Sequence, residues 1–383
     1  MVPGLLTRSD VETSPRSFAE MTTLRVGGSP AVALSCHSAE AVAEVVGALD
    51  QEDVPLLVVG GGSNLVVGDD VSGLVAVVLD GSDRGGDDGG QVEIDRDTGV
   101  VRAFAGVVWD DLVAATVAAG LGGLECLSGI PGSVGATPVQ NVGAYGAEVS
   151  QTLHRVQLFD RPTATTSWVS PESLDLAYRY SNLKFTSRAV VTAVEFQLST
   201  DGLSAPLRFG ELARRLGVAA DDAGQGGDVR RPVAEVRDMV LELRRGKGMV
   251  LDADDHDTWS AGSFFTNPVV EGTVADEVQR TVTSTRGAQD AAAMPRFAGG
   301  DGREKLSAAW LIERAGFARG WHVPGNDRAG LSSKHTLALT NRGSATSADI
   351  VELARAVRDG VRDAFGVDLV PEPVWIGVTL DGE

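Results

Sequence analysis

Ser263 is a candidate catalytic residue because of the residues around it. It lies in the segment WSAGSFFTNP, residues 259–268, between an Ala-Gly step and two phenylalanines. A serine in this setting could be a nucleophile, a phosphate ligand, a proton donor or the N-cap of a helix that opens with Ser-Phe-Phe-Thr. The segment lacks the Gly-x-Ser-x-Gly frame of a nucleophilic serine, and His256 and Asp257 are neighbours in sequence only, in an acidic loop. The helix cap and the proton donor remain the main alternatives from this segment alone.

Two glycine-rich segments predict a site for an anionic or flat ligand. VVGGGSNLVV places Gly60–Gly62 directly after a predicted strand, where glycines let the backbone turn and bring its N–H groups near an anion. The segment is neither a Walker loop nor a dinucleotide fingerprint, since Leu65 stands where the last glycine would be. A tight turn is therefore an equal interpretation there. The second segment, residues 128–148, is too rich in glycine for a regular helix or strand, which favours backbone packed against a ligand over an irregular loop.

Composition limits the class of protein. The chain has 383 residues, 43% of them hydrophobic, which is enough for two or three domains. A net charge of -20 argues against a nucleic-acid or anionic-membrane surface, although an anionic small ligand remains possible in a local pocket. Cys36 and Cys126 lie far apart, with no metal-binding pattern, as expected in a reducing cytoplasm. No signal peptide or transmembrane helix is predicted, and we expect a cytoplasmic monomer without a metal.

The elements that must position these residues alternate between strands and helices. Apolar runs bounded by glycines predict strands, and apolar residues at helical spacing predict helices. The predicted strands are AVALSCH, VPLLVVGGGSN, GLVAVVLDG, RVQLFD, AVVTAVEFQLS, HTLALTN and PEPVWIGV. The predicted helices are SAEAVAEVVGALDQED, VWDDLVAATVAAGL, KLSAAWLIERAGF from about Lys305, and SADIVELARAVRDGVRDAFG. Three stretches rich in Gly, Asp and Ala, at 81–90, 219–228 and 288–302, predict mobile surface insertions that bury little.

A series of motifs resembles one enzyme family over nearly the whole chain. TLRVGG, GGGSNL, GIPGSVGATPVQNVGAYG, YRYSNLKF, AGSFFTNPVV, KLSAAWLIE, SSKHTLALTN and PEPVWIG occur in the order found in the UDP-N-acetylenolpyruvoylglucosamine reductases. The resemblance implies an α+β fold with an FAD-binding domain of the vanillyl-alcohol-oxidase (PCMH) type in two subdomains, and a C-terminal α/β substrate-binding domain. The subdomains are expected at 15–85 and 86–248, with 366–383 returning to the second, and the substrate domain at 249–365.

The same resemblance implies the activity and the site residues. NADPH reduces the FAD, which is expected to be bound without a covalent link, and the enolpyruvyl ether of UDP-N-acetylglucosamine is then reduced to UDP-N-acetylmuramate for peptidoglycan. The catalytic residues carried over by motif are Arg179, Ser263 and Glu372, and the substrate contacts are Lys247, Asn267 and Phe209. The FAD-binding residues are expected to be Gly60, Gly61, Gly62, Ser63, Asn64, Leu65, Ser128, Gly129, Ile130, Pro131, Gly132, Ser133, Gly135, Ala136, Asn141, Gly143, Ala144 and Tyr145.

The chemistry of such a reduction explains why each of the three catalytic residue types would be needed. Protein side chains do not supply hydride, so a cofactor must. Addition to the enolpyruvyl methylene leaves negative charge on the next carbon and its carboxylate, where the forked cation of Arg179 would stabilise it. Glu372 is useful there only if it is protonated or shares a proton, which burial beside the apolar VWIG run would favour. Without the resemblance, a surface ion pair for Arg179 and a solvated turn for Glu372 are the alternative interpretations. Ser263 would then donate the proton, since a serine hydroxyl can protonate a strongly basic carbanion-like species.

One departure from the family pattern concerns Phe209. One class of the family carries a Tyr-Gly-[Asp/Glu]-Leu loop whose tyrosine contacts the substrate, and PLRFGEL places Phe209 at that position. Aromatic packing can survive this change, but a hydrogen bond from the hydroxyl cannot.

Two other functions remain open from the sequence. One is an FAD oxidoreductase of the same fold with another substrate, against which the C-terminal motifs argue. The other is a nucleotide-sugar-binding protein without chemistry, which the presence of all three catalytic residues disfavours.

Overall fold

The part of the chain that the structure describes is a mixture of strands and helices, with two runs of five consecutive strands, at 56–104 and 143–197. The computed structural model describes residues 8–82, 91–218 and 228–381. The strands are β1 (Val11–Ser14), β2 (Val32–Cys36), β3 (Leu56–Val59), β4 (Leu65–Val67), β5 (Val75–Leu79), β6 (Val92–Ile94), β7 (Val100–Phe104), β8 (Gly143–Ala144), β9 (Ala147–Glu148), β10 (Leu153–Asp160), β11 (Thr165–Val169), β12 (Ala189–Gln197), β13 (Val269–Glu271), β14 (Arg296–Gly300), β15 (Arg303–Leu306), β16 (Ala329–Leu331), β17 (Leu339–Asn341) and β18 (Val374–Ile376). The helices are α1 (Phe18–Met21), α2 (Ala39–Gln51), α3 (Trp109–Ala118), α4 (Gly210–Arg215), α5 (Val233–Gly246), α6 (Gly272–Arg286), α7 (Ala288–Ala292), α8 (Ala308–Arg314) and α9 (Ser347–Phe365). Within the described ranges, no helix combines the length and the apolar character that a membrane span requires.

The chain divides into two compact units. Unit 1 comprises residues 1–17, 29–62 and 72–250, and unit 2 comprises residues 18–28, 63–71 and 251–383. This partition differs from the three-part division expected from the sequence, because two short N-terminal segments and the C-terminal end all belong to unit 2. The three-part boundaries stay a prediction.

Among the described residues, unit 1 contains two larger sheets that share one hydrophobic core, and the short hairpin of β8 and β9. Strands β2, β5 and β3 pair in parallel and β1 joins the β2 edge antiparallel, in the order β1-β2-β5-β3. The second sheet is antiparallel, in the order β11-β10-β12-β7-β6. Helix α2 buries Val42, Val45, Val46 and Leu49 in the core that both sheets share. This spacing follows from the helical period of the apolar residues in SAEAVAEVVGALDQED.

Unit 2 has a core of its own, built mostly by helices. Its largest sheet is antiparallel, in the order β13-β15-β14, and β16 pairs with β17. Strand β18 runs parallel to β4, with Val374 opposite Leu65, so the PEPVWIG segment is anchored to the end of the GGGSNL segment. Helix α9 is held at its start by a capping box between Thr346 and Asp349.

Most predicted elements are confirmed, with two corrections. The helix predicted from about Lys305 begins three residues later, because Lys305 is paired in β15 and Ser307 caps α8 by accepting from the amide of Trp310. Residues 288–302 lie mostly exposed, as predicted for a surface insertion, but the stretch is not a plain loop, since it contains α7 and β14 and buries Ala291 and Met294. The apolar contacts of these two residues fix a segment whose composition alone suggested a loop. The predicted insertions at 81–90 and 219–228 lie almost entirely outside the described residues.

Candidate active site

Ser263 lies in a loop of unit 2 that does not open a helix. Gly262 has a positive φ of 73°, and Ser263 itself is half-buried between the fully buried Phe264 and the preceding turn. The next regular element is a strand, β13, rather than a helix. The helix-cap interpretation is therefore wrong, and the hydroxyl of Ser263 is not committed to capping.

Backbone hydrogen bonds bring Ser263 and Glu372 together. The residues after Ser263 run beside the PEPVWIG segment: the amide of Thr266 donates to the carbonyl of Val370 at 3.0 Å, and the amide of Glu372 donates to the carbonyl of Phe264 at 2.9 Å. Glu372 therefore lies beside the residue that follows Ser263. Two of the three expected catalytic residues, far apart in sequence, are neighbours in unit 2.

His335 is the imidazole next to Ser263. Its Nε2 lies 3.5 Å from the Oγ of Ser263, and the amide of Phe264 donates to the carbonyl of Leu337 at 2.8 Å, which holds the His335 segment against the serine loop. His256, the nearer histidine in sequence, packs instead on the ring of Trp259 at 4.3 Å between centroids. Residue patterns alone did not single out His335, although it lies in the motif SSKHTLALTN.

Two further predicted residues of unit 2 have structural partners. The side-chain amide of Asn64 donates to the carbonyl of Glu372 at 3.4 Å, and the backbone carbonyl of Asn64 accepts from the amide of Val374 at 2.9 Å, so Asn64 helps to place Glu372. The Oδ1 of Asn267 accepts from the amide of Ala308 at 3.0 Å, at the start of α8. That bond orients the side-chain amide of Asn267 and leaves its Nδ2 as the donor that could meet a ligand.

Arg179, in unit 1, sits in a strained turn tied to the second glycine-rich segment. Its φ is 55°, a left-handed value that costs a non-glycine residue about 1 kcal/mol or more. Its Nη2 donates to the carbonyl of Gly143 at 2.7 Å, and the side chain of Asn141 donates to the carbonyl of Ala177 at 3.1 Å. Such strain persists only where the surroundings impose it, which supports a functional position for the guanidinium.

Asn141, a predicted FAD residue, is occupied by protein contacts. Besides its bond to Ala177, its Nδ2 donates to Glu148 and its Oδ1 accepts from the amide of Ser150, each at 3.0 Å. The side chain therefore braces the Arg179 turn, and only the backbone of Asn141 could face a cofactor.

Lys247, Phe209 and Tyr145 meet in a second cluster of unit 1. Lys247 pairs with Glu211 at 2.9 Å, and its Nζ lies 6.0 Å from the centre of the Tyr145 ring. Phe209 packs edge-on against the same ring, at 5.3 Å between centroids. Burial raises the pKa of Tyr145, so its hydroxyl is neutral and can donate. The loop PLRFGEL thus places Phe209 and Glu211 beside the second glycine-rich segment.

The two glycine-rich segments touch where a ligand cradle is expected. A Cβ built on Gly61 would lie 2.5 Å from the Cα of Gly132, and one built on Gly60 would lie 2.2 Å from the Oγ of Ser133. We call Gly60, Gly61, Gly132 and Ser133 the glycine cradle. The Oγ of Ser133 is buried and has no hydrogen-bond partner within the described residues, although buried hydroxyls are normally paired. A phosphorylated, flat cofactor such as FAD fits both features, because it supplies an acceptor and requires backbone without side chains.

Other predicted FAD residues line the same segment. Ser128 is fully buried and its hydroxyl donates to the carbonyl of Glu125 at 2.7 Å. Gly135 approaches Ala105, since a Cβ on Gly135 would lie 2.5 Å from that of Ala105. The remaining positions are Gly62 at the end of the first segment, Ile130, Pro131 and Ala136 in the second, Gly143 and Ala144 in β8, and Ser63 and Leu65 in unit 2. Their contacts with FAD stay a prediction.

Comparisons with known proteins agree with an FAD-dependent oxidoreductase. Residues 30–170 match the FAD binding domain, and residues 254–376 match the C-terminal domain of UDP-N-acetylenolpyruvoylglucosamine reductase. The UDP-N-acetylenolpyruvoylglucosamine reductase of Corynebacterium jeikeium is 67% identical, over 96% of this chain and 91% of the relative. Reductase 2 of Corynebacterium glutamicum is 58% identical, over 95% and 94%.

A solved structure shows the same fold. The crystal structure of the reductase from Thermus caldophilus superposes with a TM-score of 0.61 at 23% identity, over 96% of this chain and 98% of that chain. The chain belongs to the UDP-N-acetylenolpyruvoylglucosamine reductase family. The expected fold class and the FAD cofactor are confirmed, and the NADPH expected from the resemblance agrees with this membership.

Proposed function

We propose that the chain catalyses the NADPH-dependent reduction of UDP-N-acetylenolpyruvoylglucosamine to UDP-N-acetylmuramate, a step in the synthesis of peptidoglycan precursors. The observation that carries the proposal is the pairing of the Ser263 loop with the Glu372 segment, which joins a proton donor and a carboxyl group in one place. Membership of the reductase family supports the same reaction. FAD, when bound, supplies the hydride that the side chains cannot.

Ser263 has the role of the proton donor. The carbon that carries the substrate carboxylate must gain a proton, and the hydroxyl of Ser263 is held in a loop bounded by Phe264 and Phe265, which are buried to 0% and 1% exposure. These rings anchor the loop in the core of unit 2 and so fix the position of the hydroxyl. His335, at 3.5 Å, is the group best placed to return a proton to the serine.

Arg179 and Glu372 have the role of stabilising negative charge on the substrate carboxylate. The turn that holds Arg179 is fixed by its bond to Gly143 and by the Asn141 brace, so the guanidinium needs little reorganisation when charge develops. Glu372 is half-buried two residues before β18, and its backbone is held by hydrogen bonds to Phe264 and Asn64. A protonated Glu372 donates a hydrogen bond to an oxyanion, whereas an ionised one would repel it.

Lys247, Asn267 and Phe209 have the role of binding the nucleotide-sugar part of the substrate. Lys247 carries the compact positive charge that suits a phosphate. The Oδ1 of Asn267 accepts from the amide of Ala308, and this bond orients the Nδ2 of the same side chain. Phe209, 38% exposed, offers an apolar ring for stacking.

The test uses the purified protein with its bound flavin. In the absence of oxygen, NADPH should bleach the flavin absorption, and UDP-N-acetylenolpyruvoylglucosamine should restore it. The amount of UDP-N-acetylmuramate formed should equal the amount of flavin reoxidised. UDP-N-acetylglucosamine, which lacks the enolpyruvyl ether, serves as the control and should restore nothing. Bleaching without recovery by the enolpyruvyl substrate would favour an oxidoreductase with another substrate, and protein without flavin would favour a binding protein.

We also propose that the protein acts as a monomer in the cytoplasm and that cell-wall growth, cell shape and division depend on it. Cys36 and Cys126 are both free thiols, in agreement with a reducing compartment. Light scattering tests the monomer, and depletion of the protein followed by microscopy tests the cellular role.

A further inference from the structure

Arg244, near the end of α5, is a buried cation that the proposed roles do not use. It is 7% exposed, and its Nε has no hydrogen-bond partner within the described residues. Its Nη2 donates to the carbonyl of Met249 at 2.6 Å, which is a neutral acceptor. Burying a guanidinium without a paired carboxylate is costly, so a missing anionic partner is expected.

Asp110, a carboxylate that interacts with the charge of Arg244, is already neutralised. Asp110 forms a two-pronged ion pair with Arg237, at 2.7 and 2.9 Å, and it also accepts from the amide of Gly129 at 2.6 Å. Across the neighbouring cluster, Glu211 is paired with Lys247. The charge of Arg244 is therefore in excess, and burial accordingly lowers its pKa, with only Tyr145 and Asp110 opposing that shift.

Arg244 borders the segment expected to hold FAD. A Cβ built on Gly129 would lie 3.4 Å from the Nε of Arg244 and 2.8 Å from the Cδ2 of Leu241. Gly129 has a positive φ of 70°, so both its conformation and its crowding require glycine. The guanidinium thus lies against the backbone of the second glycine-rich segment at Gly129, and Tyr145 is close enough to act on its charge.

We propose that Arg244 faces the isoalloxazine ring of bound FAD and raises its midpoint potential. The ring takes up two electrons and one proton when NADPH becomes NADP⁺, and it is left with one negative charge, which a buried cation stabilises. Phosphates, in contrast, carry their charge in both redox states. The proposal rests on the FAD cofactor and not on the identity of the substrate.

The test measures the midpoint potential of the bound flavin in the Arg244→Met variant, by slow reduction with xanthine oxidase beside a reference dye. Met keeps much of the side-chain length and removes the charge. Affinity for the reduced flavin should fall about 10- to 100-fold more than affinity for the oxidised flavin, as for a lost neighbouring charge. For a two-electron couple this lowers the potential by about 30 to 60 mV.

Matched variants separate the local effect from net charge. Arg245→Met removes the same charge from an exposed neighbour in the same helix and should leave the potential unchanged. Arg244→Lys keeps the positive charge, and the midpoint potential of its flavin should stay close to that of the unaltered protein. An equal loss of affinity for both redox states, with an unchanged potential, would overturn the proposal in favour of phosphate binding. Unchanged flavin binding with lower thermal stability would show a purely structural role.

A second test uses the unaltered protein, so it does not depend on whether the variants fold. If the reduced ring stays anionic, the potential falls by about 30 mV for each unit of increase in pH between pH 6 and pH 8, as expected for two electrons and one proton. A slope of about 60 mV per pH unit over this range would mean that the ring becomes neutral, and would contradict the proposal. Neither readout depends on turnover of the sugar substrate, so failure here is distinguishable from failure of the proposed reaction.

Discussion

Replacing Ser263 by alanine should separate the two halves of the catalytic cycle. Flavin reduction by NADPH needs no proton from Ser263, so its rate should stay close to normal. Reoxidation by the enolpyruvyl substrate needs the proton, and a positioned general acid contributes about 10²- to 10⁴-fold. A loss near the upper end is expected where no second donor replaces Ser263; the imidazole of His335, 3.5 Å from the serine oxygen, is the neighbouring group that could do so.

Stopped-flow absorbance of the flavin resolves both halves in one experiment. Ser263→Cys should keep part of the activity, since a thiol is a better acid but is larger. Thr266→Val is the matched control: it removes a hydroxyl from the same loop, where Thr266 makes only a 3.3 Å bond to Val370, and it should leave both rates nearly unchanged. If flavin reduction collapses while reoxidation stays fast, Ser263 positions the cofactor and does not donate a proton. If neither half changes, the reasoning from the loop is refuted.

Three further outcomes are expected. FAD should be released by acid precipitation, because burial raises the pKa of Cys126 and disfavours the thiolate that a covalent flavin link would need. Mass spectrometry of the precipitated protein checks this, and the protein mass should include no flavin. Phe209→Tyr should lower KM for the UDP-sugar by roughly 2- to 10-fold through one added hydrogen bond, measured beside Phe185→Tyr as an exposed control; an unchanged KM would mean that the ring does not face the substrate. Burial opposes ionisation of Asp257, but its hydrogen bonds and ion pair outweigh this and lower its pKa to about 2, so it adds roughly 2 kcal/mol above pH 4 that is lost as the pH falls towards 2. Asp257→Asn should therefore flatten the acid limb of the urea-unfolding profile, whereas Asp254→Asn should not.

Local sequence patterns were sufficient for most regular elements. Helix α2 follows from apolar residues at helical spacing after Ser38, whose hydroxyl accepts from the amide of Ala41. Helix α9 follows in the same way from its apolar period, and its end coincides with Gly366 in the left-handed conformation. Such signals act over one or two helical turns, so they can be recognised without knowing the contacts made by the rest of the chain.

The exceptions arise where distant residues decide. Lys305 carries a helical pattern but is paired in β15, because strand partners far along the chain satisfy its backbone. Residues 288–302 have the composition of a loop, yet Ala291 and Met294 pack into the core of unit 2. Composition reports the average solvation of a segment and not the few apolar contacts that fix it.

The sequence by itself determined the family, the cofactor class and the residue types available for chemistry, because motifs and glycine spacing are properties of the chain. Only the tertiary structure decided that Ser263 and Glu372 are neighbours, that His335 and not His256 accompanies the serine, and that Arg244 is buried beside Gly129 without a carboxylate. These facts depend on backbone pairing and packing between segments far apart in the chain. A local sequence pattern does not encode these contacts, because the residues next to Ser263 or Arg244 in sequence do not depend on which distant segment packs against them.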